Sequence, residues 1–456
     1  MKKLLEAIQQ AGGTPLKVGG CVRDNLLGID NKDVDIEVYG LPYDQLVRVL
    51  EKFGRVATVG RSFGVIKLWH EGEEYDFSLP RRDSKTGRGH KGFVVEHDHS
   101  LSPREAAMRR DYTINSMAES TDGELIDPFN GADDLRAKIL RATSPQFVED
   151  PLRVLRGMQF AARFEMRVEA QTAEMCRTLA GEFDTLAIER IWTEFVKLCC
   201  KGQQPGLGIQ FLIDTGWLEL FPQLQDMHNS PQDPEWHPEG CVLTHTMHCM
   251  NAAVEVADRE GIEGEDRLVL VLALLCHDIG KPVTLAKNEA GRYTNFGHAE
   301  KGVPIAEDFL KSIGATTRVI ERVLPLVKYH MVHLSLEIDN ISHRFVRRLA
   351  RNLGSATISE LAMVMEADKS GRPPLAKGAH PTSVEIVKLA EELALQHEPP
   401  MPIVQGRDLI RHFGVKGGPS FRKVLDAAFE AQLNGEFDNV TDGINYLRQH
   451  RLAEGL

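Results

Sequence analysis

Gly19-Gly20-Cys21-Val22-Arg23-Asp24-Asn25-Leu26-Leu27-Gly28, followed by Asp33-Val34-Asp35-Ile36, is the stretch on which the reading of this chain turns. Side chains on a strand alternate faces, so Asp33 and Asp35 project together while Val34 and Ile36 enter a core. Two carboxylates that close repel each other unless a cation lies between them, and a hard divalent ion shared with phosphate oxygens suits Mg²⁺. The glycine pair lets backbone N–H groups approach those phosphates, which places Gly20 in the binding set. Arg23 adds a planar charged donor, and Asp24-Asn25 open the next helix. Together these residues read as a cradle for a triphosphate and its metal.

The order G-G-x-V-R-D-x-L-L-G and then D-x-D resembles the head motif of the class II tRNA nucleotidyltransferases and bacterial poly(A) polymerases, within the polymerase β superfamily. That resemblance predicts an α/β N-terminal nucleotidyltransferase head, a polymerase β-like mixed sheet with helices, over residues 1–145. A strand pair, Gly64 to Trp69 and Tyr75 to Leu79, is expected there, joined through Glu71-Gly72-Glu73-Glu74. Asp76 lies between Tyr75 and Phe77 and so faces away from the aromatics; it is the candidate third catalytic carboxylate, with Glu74 in reserve.

Between Ser78 and Ala106 the chain is polar, with Gly87, Gly89 and Gly92 among basic residues and no clear periodicity, and it reads as a flexible loop. In the resembled family a loop here helps one pocket change from C to A, and enzymes that stop at CC lack it; its length in this chain favours A incorporation. Arg109-Arg110-Asp111-Tyr112-Thr113-Ile114-Asn115 is similar to the family's R-R-D-x-x-x-N. Paired arginines beside an Asp and an Asn suit triphosphate oxygens and a ribose hydroxyl, so Arg110, Asp111 and Asn115 join the nucleotide-binding set.

A helical stretch from Phe147 to Phe164 carries Glu149-Asp150-Pro151-Leu152-Arg153, matching the family's E-D-x-x-R. An Asp and an Arg one turn apart offer an acceptor beside a donor fork, complementing the amino donor and ring-nitrogen acceptor that C and A share and U and G reverse. The resemblance therefore implies that Asp150 and Arg153 choose the base, and Arg156 is placed with them. Arg190 and Glu194, in a stretch similar to the family's E-R-x-x-x-E, are expected to pair at i, i+4 and brace that helix. These helices form the expected neck, residues 146–225.

A second set of residues lies further on. His245 precedes an apolar run, Leu268 to Cys276, that ends in His277-Asp278-Ile279-Gly280-Lys281-Pro282; His298, His330 and Asp368 follow. Polar groups that end or interrupt apolar runs need partners or a metal. The order H…HD…D resembles the HD phosphohydrolase superfamily and implies His245, His277, Asp278 and Asp368 as ligands of one divalent ion. Imidazole with carboxylate suits Ni²⁺, Mn²⁺, Co²⁺ or Fe²⁺ as well as Mg²⁺. His298 and His330 stand where related domains recruit a second metal, and His248 is read as a non-ligand. Phosphate monoester or 2′,3′-cyclic phosphate hydrolysis is implied for an HD domain over residues 226–395. Pro399, Pro400 and Pro402 mark a linker to a helical tRNA-binding tail, residues 396–456, in which Gly417-Gly418-Pro419 replaces the family's more usual P-G-P.

Composition narrows the partners. The 456 residues are 42% apolar and 26% charged, enough for several cores. A net charge of −12 argues against indiscriminate nucleic-acid binding, so an RNA site must be local. Basic residues cluster from Arg81 to Arg110 and from Arg136 to Arg167. The seven cysteines show no C-x-x-C spacing and read as reduced thiols. Lys2 and Lys3 precede a segment that turns polar too early for a signal peptide, and no apolar run is long enough to span a bilayer, which predicts a cytoplasmic protein. The expected activity is template-independent addition of CCA to tRNA 3′ ends from CTP and ATP, with Mg²⁺ in the head, a transition ion in the HD site, no membrane and no obligate protein partner. The alternatives are a poly(A) polymerase, an enzyme adding only the final A, and an HD phosphohydrolase whose head merely binds RNA.

Overall fold

Leu16 and Val18 on one strand, and Ile36 and Val38 on the next, are buried at every second position, the pattern a pleated strand imposes. These strands, β1 (Thr14–Val18) and β2 (Asp35–Tyr39), pair antiparallel. With β3 (Arg55–Val59), β4 (Val65–His70), β5 (Glu73–Ser78), β8 (Ala118–Glu119) and β9 (Leu125–Ile126) they build a seven-stranded mixed sheet in the order β3-β4-β5-β2-β1-β8-β9. In this computed structural model all residues are described except 31–33, 60–63, 86–92 and 455–456. Asp33, the first carboxylate of the predicted metal pair, lies outside the described residues, as do Gly87, Arg88, Gly89, Lys91 and Gly92.

Leu4 and Ile8 of the Lys2–Gln10 helix and Leu46 and Leu50 of the Tyr43–Leu50 helix pack against Ile36, Val38, Ile66, Leu68 and Phe77 on one face of the sheet. Each such fully buried side chain contributes about 1.5–3 kcal/mol. That face is thereby closed, and the alternate positions of β2, Asp35 and Glu37, project from the other. β4 and β5 are joined by Glu71 and Gly72, both at positive φ (53° and 89°), as a two-residue hairpin turn requires. The strands therefore run closer together than the four-residue connection expected from sequence, and Glu74 lies within β5.

The segment expected to be an irregular loop differs from that expectation. Its described parts are two strands, β6 (Arg81–Lys85) and β7 (Phe93–His97), paired antiparallel as a ribbon outside the main sheet. A ribbon apart from the main sheet needs no apolar alternation to form, so periodicity carried no trace of it. A short helix, Pro103–Ala107, follows behind a capping box of Ser102 and Glu105.

Met1–Pro222 and Gln223–Leu456 form two compact units. In the first, the Leu152–Phe164 helix is buried almost throughout and packs on the Ile188–Lys201 and Pro205–Asp214 helices. A Cβ at Gly157 would run into Phe211 and Tyr112, so this helix crosses at a distance only glycine permits. The second unit is helical apart from a two-residue strand pair, Ala286–Lys287 with Tyr293–Thr294. Its core helix, Gly264–Cys276, is buried over the whole of Leu268 to Cys276. Residues 403–453 gather their own apolar cluster around Leu409, Val424, Phe437 and Leu447. Among the described residues no helix is long and apolar enough to cross a membrane.

Candidate functional sites

In the first unit, β2 and β5 are parallel neighbours with Asp35 opposite Asp76 and Glu37 opposite Ser78. Directly paired residues share a face, so the register sets the Asp35 and Asp76 carboxyls side by side on the face away from the helices. Asp76 Oδ1 is shielded from solvent without a hydrogen bond, and Lys67 Nζ stands 3.5 Å from it. Lys67 also pairs with Glu74, which engages the reserve carboxylate in a surface ion pair. A pair of in-register carboxylates, one of them with an oxygen met only by the Lys67 ammonium at 3.5 Å, fits a hard divalent cation.

Glu37, two residues along the same face, escaped sequence reasoning. It is 1% exposed and receives Arg109 Nη2 at 3.0 Å and the Tyr39 hydroxyl at 2.7 Å, with Arg110 Nη2 3.9 Å away. Burial would raise its pKa, but Arg110 and Arg109 outweigh that and keep it ionised. The D-x-D-x-E alternation was the available signal. Gly19 has φ +76°, and a Cβ there would lie 2.7 Å from Arg110 Nη1, so the glycine both turns the chain into the Gly20–Leu26 helix and leaves room for that arginine.

The remaining nucleotide-set residues form one buried chain of charges. Arg23 is 4% exposed; its Nε and Nη2 bond Asp24 Oδ1 at 2.8 and 2.6 Å, and its Nη1 donates to Asn115 Oδ1. Its guanidinium also lies 4.5 Å from the Phe164 ring centroid. Asn115 Nδ2 donates to Asp111 Oδ1 at 3.0 Å, and Arg156 Nε to Asp111 Oδ2 at 2.7 Å. Burial alone would raise the Asp111 pKa; Arg156 and the bonds from Asn115 and the Tyr112 N–H hold it down at about 2. Arg163 closes the far end, 3.6 Å from Asp24 Oδ2.

Asp150 and Arg153 are one turn apart but differently engaged. Asp150 Oδ1 accepts from the Leu152 N–H at 3.0 Å and Oδ2 from Arg190 Nη2 at 3.4 Å. Arg153 donates to two carbonyls, Gln146 at 2.7 Å and Arg109 at 2.6 Å. The expected Arg190–Glu194 brace is corrected here: Arg190 reaches Asp150, and Glu194 takes Lys197 Nζ at 2.8 Å. The brace thus runs from the Ile188–Lys201 helix to the residue that leads into the Leu152–Phe164 helix, instead of along one helix surface.

The second unit gathers the predicted HD residues. His277 caps the buried Gly264–Cys276 helix. Its Nε2 lies 3.4 Å from His245 Nε2, 3.2 Å from Asp278 Oδ2 and 3.8 Å from Asp368 Oδ1; His245 Nε2 is 3.1 Å from Asp368 Oδ1. Asp278 turns its other oxygen to His298 Nε2 at 3.1 Å and His330 Nε2 at 3.8 Å, and those two nitrogens are 3.2 Å apart. One carboxylate thus joins two sets of donors. A Cβ at Gly280 would sit 2.6 Å from the Gly302 nitrogen, so glycine there lets the His298–Ser312 helix approach.

Every one of these imidazoles is oriented through Nδ1. His277 bonds the Leu274 carbonyl at 2.7 Å, His298 that of Asn295 at 2.8 Å and His330 that of Val327 at 2.6 Å; His245 Nδ1 lies 2.8 Å from Glu239 Oε1. Holding the proton on Nδ1 leaves the Nε2 lone pairs facing the centre, the arrangement that suits metal ligation. Glu239, Cys249 and Lys281 were not foreseen. Cys249 Sγ is 3.3 Å from His245 Nε2, and Lys281 Nζ lies 2.7 Å from Asp278 Oδ2 and 2.8 Å from Gln232 Oε1. The signals were slight: Cys249 stands one turn after His245, and Lys281 one turn after Asp278. Among the described residues His248 belongs to none of the ligand groups.

Comparison with known proteins matches three stretches of the chain. The family described as "Poly A polymerase head domain" matches residues 16–141, "Probable RNA and SrmB- binding site of polymerase A" matches 165–227 and "HD domain" matches 242–397. A "Multifunctional CCA protein" of Xanthomonas oryzae is 34% identical over 82% of this chain and 88% of its own length. That of Xanthomonas axonopodis is 33% identical over 91% and 98%. Among solved structures, the Bacillus stearothermophilus CCA-adding enzyme in complex with CTP superposes with a TM-score of 0.62 at 19% identity, covering 99% of this chain and 97% of that one. The Thermotoga maritima CCA-adding enzyme complexed with tRNA gives 0.59, also at 19%, covering 98% and 94%. At that identity the structural likeness concerns the fold.

Proposed function

The chain belongs to the family of the multifunctional CCA proteins, and from that membership we propose that it adds CCA to tRNA 3′ ends from CTP and ATP without a nucleic-acid template. The register of β2 on β5, which sets Asp35 beside Asp76, carries this reading; Asp33, two residues before Asp35 in the sequence, completes the proposed set. Magnesium held by these carboxylates would stabilise charge on the attacking and leaving oxygens. The RNA 3′ oxygen bonds to the α-phosphorus, the α–β phosphoanhydride bond breaks, pyrophosphate leaves and the hydroxyl proton passes to solvent. Gly20 and Arg110 line the triphosphate side. Arg23, Asp111, Asn115 and Arg156 act by holding that side against the Leu152–Phe164 helix, since their polar atoms are engaged with one another.

Base choice falls to Asp150 and Arg153, with a condition that the geometry adds. Arg153 must exchange its bonds to the Gln146 and Arg109 carbonyls for the base, so an incoming C or A replaces interactions already made. A base presenting a donor where Arg153 donates cannot compensate that loss, and the cost of an unpaired buried donor excludes it.

The clustered donors of the second unit favour a second activity in the same protein, metal-dependent hydrolysis of phosphate monoesters or 2′,3′-cyclic phosphates. His245, His277, Asp278 and Asp368 would hold one ion, with His298 and His330 beside a second position; such an ion, Ni²⁺ or Mn²⁺ among others, would activate water and polarise a phosphoryl oxygen. Cytoplasmic location follows from the substrate. The test is purified protein with tRNAs ending before CCA, after C and after CC, given CTP, ATP or both. The expected result is completion of all three, abolished in Asp35→Ala. Addition of A to the longest end alone would replace the reading with a partial enzyme, and long A tracts would replace it with a poly(A) polymerase.

A further inference from the structure

Three neighbouring strands of the head sheet set a lysine in line with two of its carboxylates. β5 pairs with β2 on one side, Asp76 opposite Asp35, and with β4 on the other, Asp76 opposite Lys67. Partners across a ladder share a face. Ile66, Leu68 and Phe77, which flank this row along β4 and β5, point into the helix-covered core, so Lys67 emerges with Asp76 and Asp35 on the opposite face. The row reads acid, acid, cation across the sheet.

The ammonium is held there. Lys67 Nζ pairs with Glu74, two residues before Asp76 on the same face of β5, and stands 3.5 Å from Asp76 Oδ1. That oxygen is shielded from solvent and accepts no hydrogen bond. Among the described residues Lys67 is the cation within ion-pair reach of Asp76, whereas Arg109 and Arg110, further along this face, meet Glu37. Glu74 already supplies Lys67 with a counter-charge, so the approach to Asp76 brings positive charge to the carboxylate pair itself.

An ammonium in this place acts with opposite sign on the two forms in which a divalent ion can arrive. It repels a bare ion, which must also displace it from Asp76 Oδ1. It attracts a nucleoside triphosphate already complexed with the ion, because that complex is a net anion, and the phosphate oxygens offer the ammonium a new partner as Asp76 turns to the metal. We infer that Lys67 is a positioning residue that keeps the bare divalent ion off the Asp35–Asp76 pair and admits it as the complex with a nucleoside triphosphate. The RNA end then meets a metal-loaded head only together with its nucleotide. This inference rests on the reading of Asp35 and Asp76 as ligands of the head's ion, and it adds the residue that decides how the ion enters.

Mn²⁺ stands in for Mg²⁺ and is read by electron paramagnetic resonance without turnover. Full-length protein carrying His277→Ala, to empty the second unit, is titrated with Mn²⁺ in the absence of RNA; the binding that a further Asp35→Ala removes belongs to the head. Lys67→Met should bind bare Mn²⁺ about 5- to 30-fold more tightly, the effect of one unit charge on a divalent ion at ion-pair distance near the surface. In equilibrium dialysis with CTP at saturating Mn²⁺, the same variant should bind the complex about 3- to 10-fold more weakly. Lys67→Arg should keep both affinities near those of the unsubstituted protein. The Lys67 side chain is 34% exposed, so neither substitution opens the core. Opposite shifts in the two affinities separate this role from a structural one, since distorted strands would weaken both; a shift of both in one direction overturns the inference. Unchanged Mn²⁺ affinity in Lys67→Met, with Asp35→Ala still removing the head's share, overturns it and leaves the carboxylate reading standing. Mn²⁺ binding that Asp35→Ala does not reduce overturns both.

Discussion

Asp111→Asn tests whether the buried charge chain holds the head together. Asp111 accepts from the Tyr112 N–H and Asn115 Nδ2 on Oδ1 and from Arg156 Nε on Oδ2. An asparagine must aim its NH₂ at one of these sites, setting donor against donor, and it removes the charge opposite Arg156. A carboxyl held at about 2 instead of its ordinary 3.8 is favoured in the fold by about 2 kcal/mol at neutral pH, at about 1.4 kcal/mol per unit. Leaving Arg156 uncompensated pushes the loss toward the ~3–5 kcal/mol of a broken buried pair. Because the folded pKa is depressed, the advantage is complete above about pH 4 and disappears as pH falls through about 2. Trp69, Trp192 and Trp217 lie in the first unit and Trp236 in the second, so tryptophan fluorescence in urea reports mainly on the unit that holds Asp111. The variant should lose about 2–5 kcal/mol at pH 7, and the gap from wild type should narrow between pH 4 and pH 2. A loss under about 0.5 kcal/mol, or a gap that stays constant with pH, would refute the reasoning.

Gly19→Ala must adopt φ +76° with its Cβ against Arg110; a cost of about 1–2 kcal/mol should appear in thermal unfolding, together with a raised KM for CTP and ATP. Glu37→Gln should leave Arg109 and Arg110 without their counter-charge and raise nucleotide KM more than it lowers kcat, as steady-state incorporation would show. In the second unit, His277→Ala should lose bound metal after dialysis by elemental analysis, whereas His248→Ala should keep it. Gly371→Ala would bring a Cβ within 2.7 Å of the Cys249 nitrogen and displace the carbonyl facing His245 Nδ1, so its metal retention should fall between those two.

Strand alternation made the Asp35 face legible, because one residue's orientation fixes its neighbours' by period two. It also put Glu37 on that face, but not its role, which depends on arginines about seventy positions away. The histidines were legible because most of these polar groups ended or interrupted an apolar segment, whereas Glu239 and Cys249 act through contacts that no local pattern encodes. Motif spacing placed Asp150 and Arg153 one turn apart correctly, yet spacing says nothing of rotamers. That Arg153 spends its fork on two carbonyls and Arg190 turns to Asp150 is decided by which acceptors the surrounding chain leaves unpaired. The β6–β7 ribbon was hidden for the opposite reason, since it pairs apart from the main sheet and its polar, glycine-containing sequence shows no periodicity.

These placements bear on how the two tasks of the head are joined. Arg153 holds the Arg109 carbonyl at 2.6 Å, while the Arg109 and Arg110 side chains meet Glu37 on the strand that carries Asp35. Arg153, proposed to read the base, and the strand that carries Asp35 are thus separated by one peptide and one buried acid. The parallel route through Arg156, Asp111, Asn115 and Arg23 connects the same helix to the turn at Gly19. If an accepted base draws Arg153 from its carbonyls, the peptide of Arg109 loses a charged donor, and the arginine pair on Glu37 is the first structure able to respond. Selection would then act on the strand that carries Asp35 through a two-state exchange of one guanidinium, with no larger motion of the sheet required.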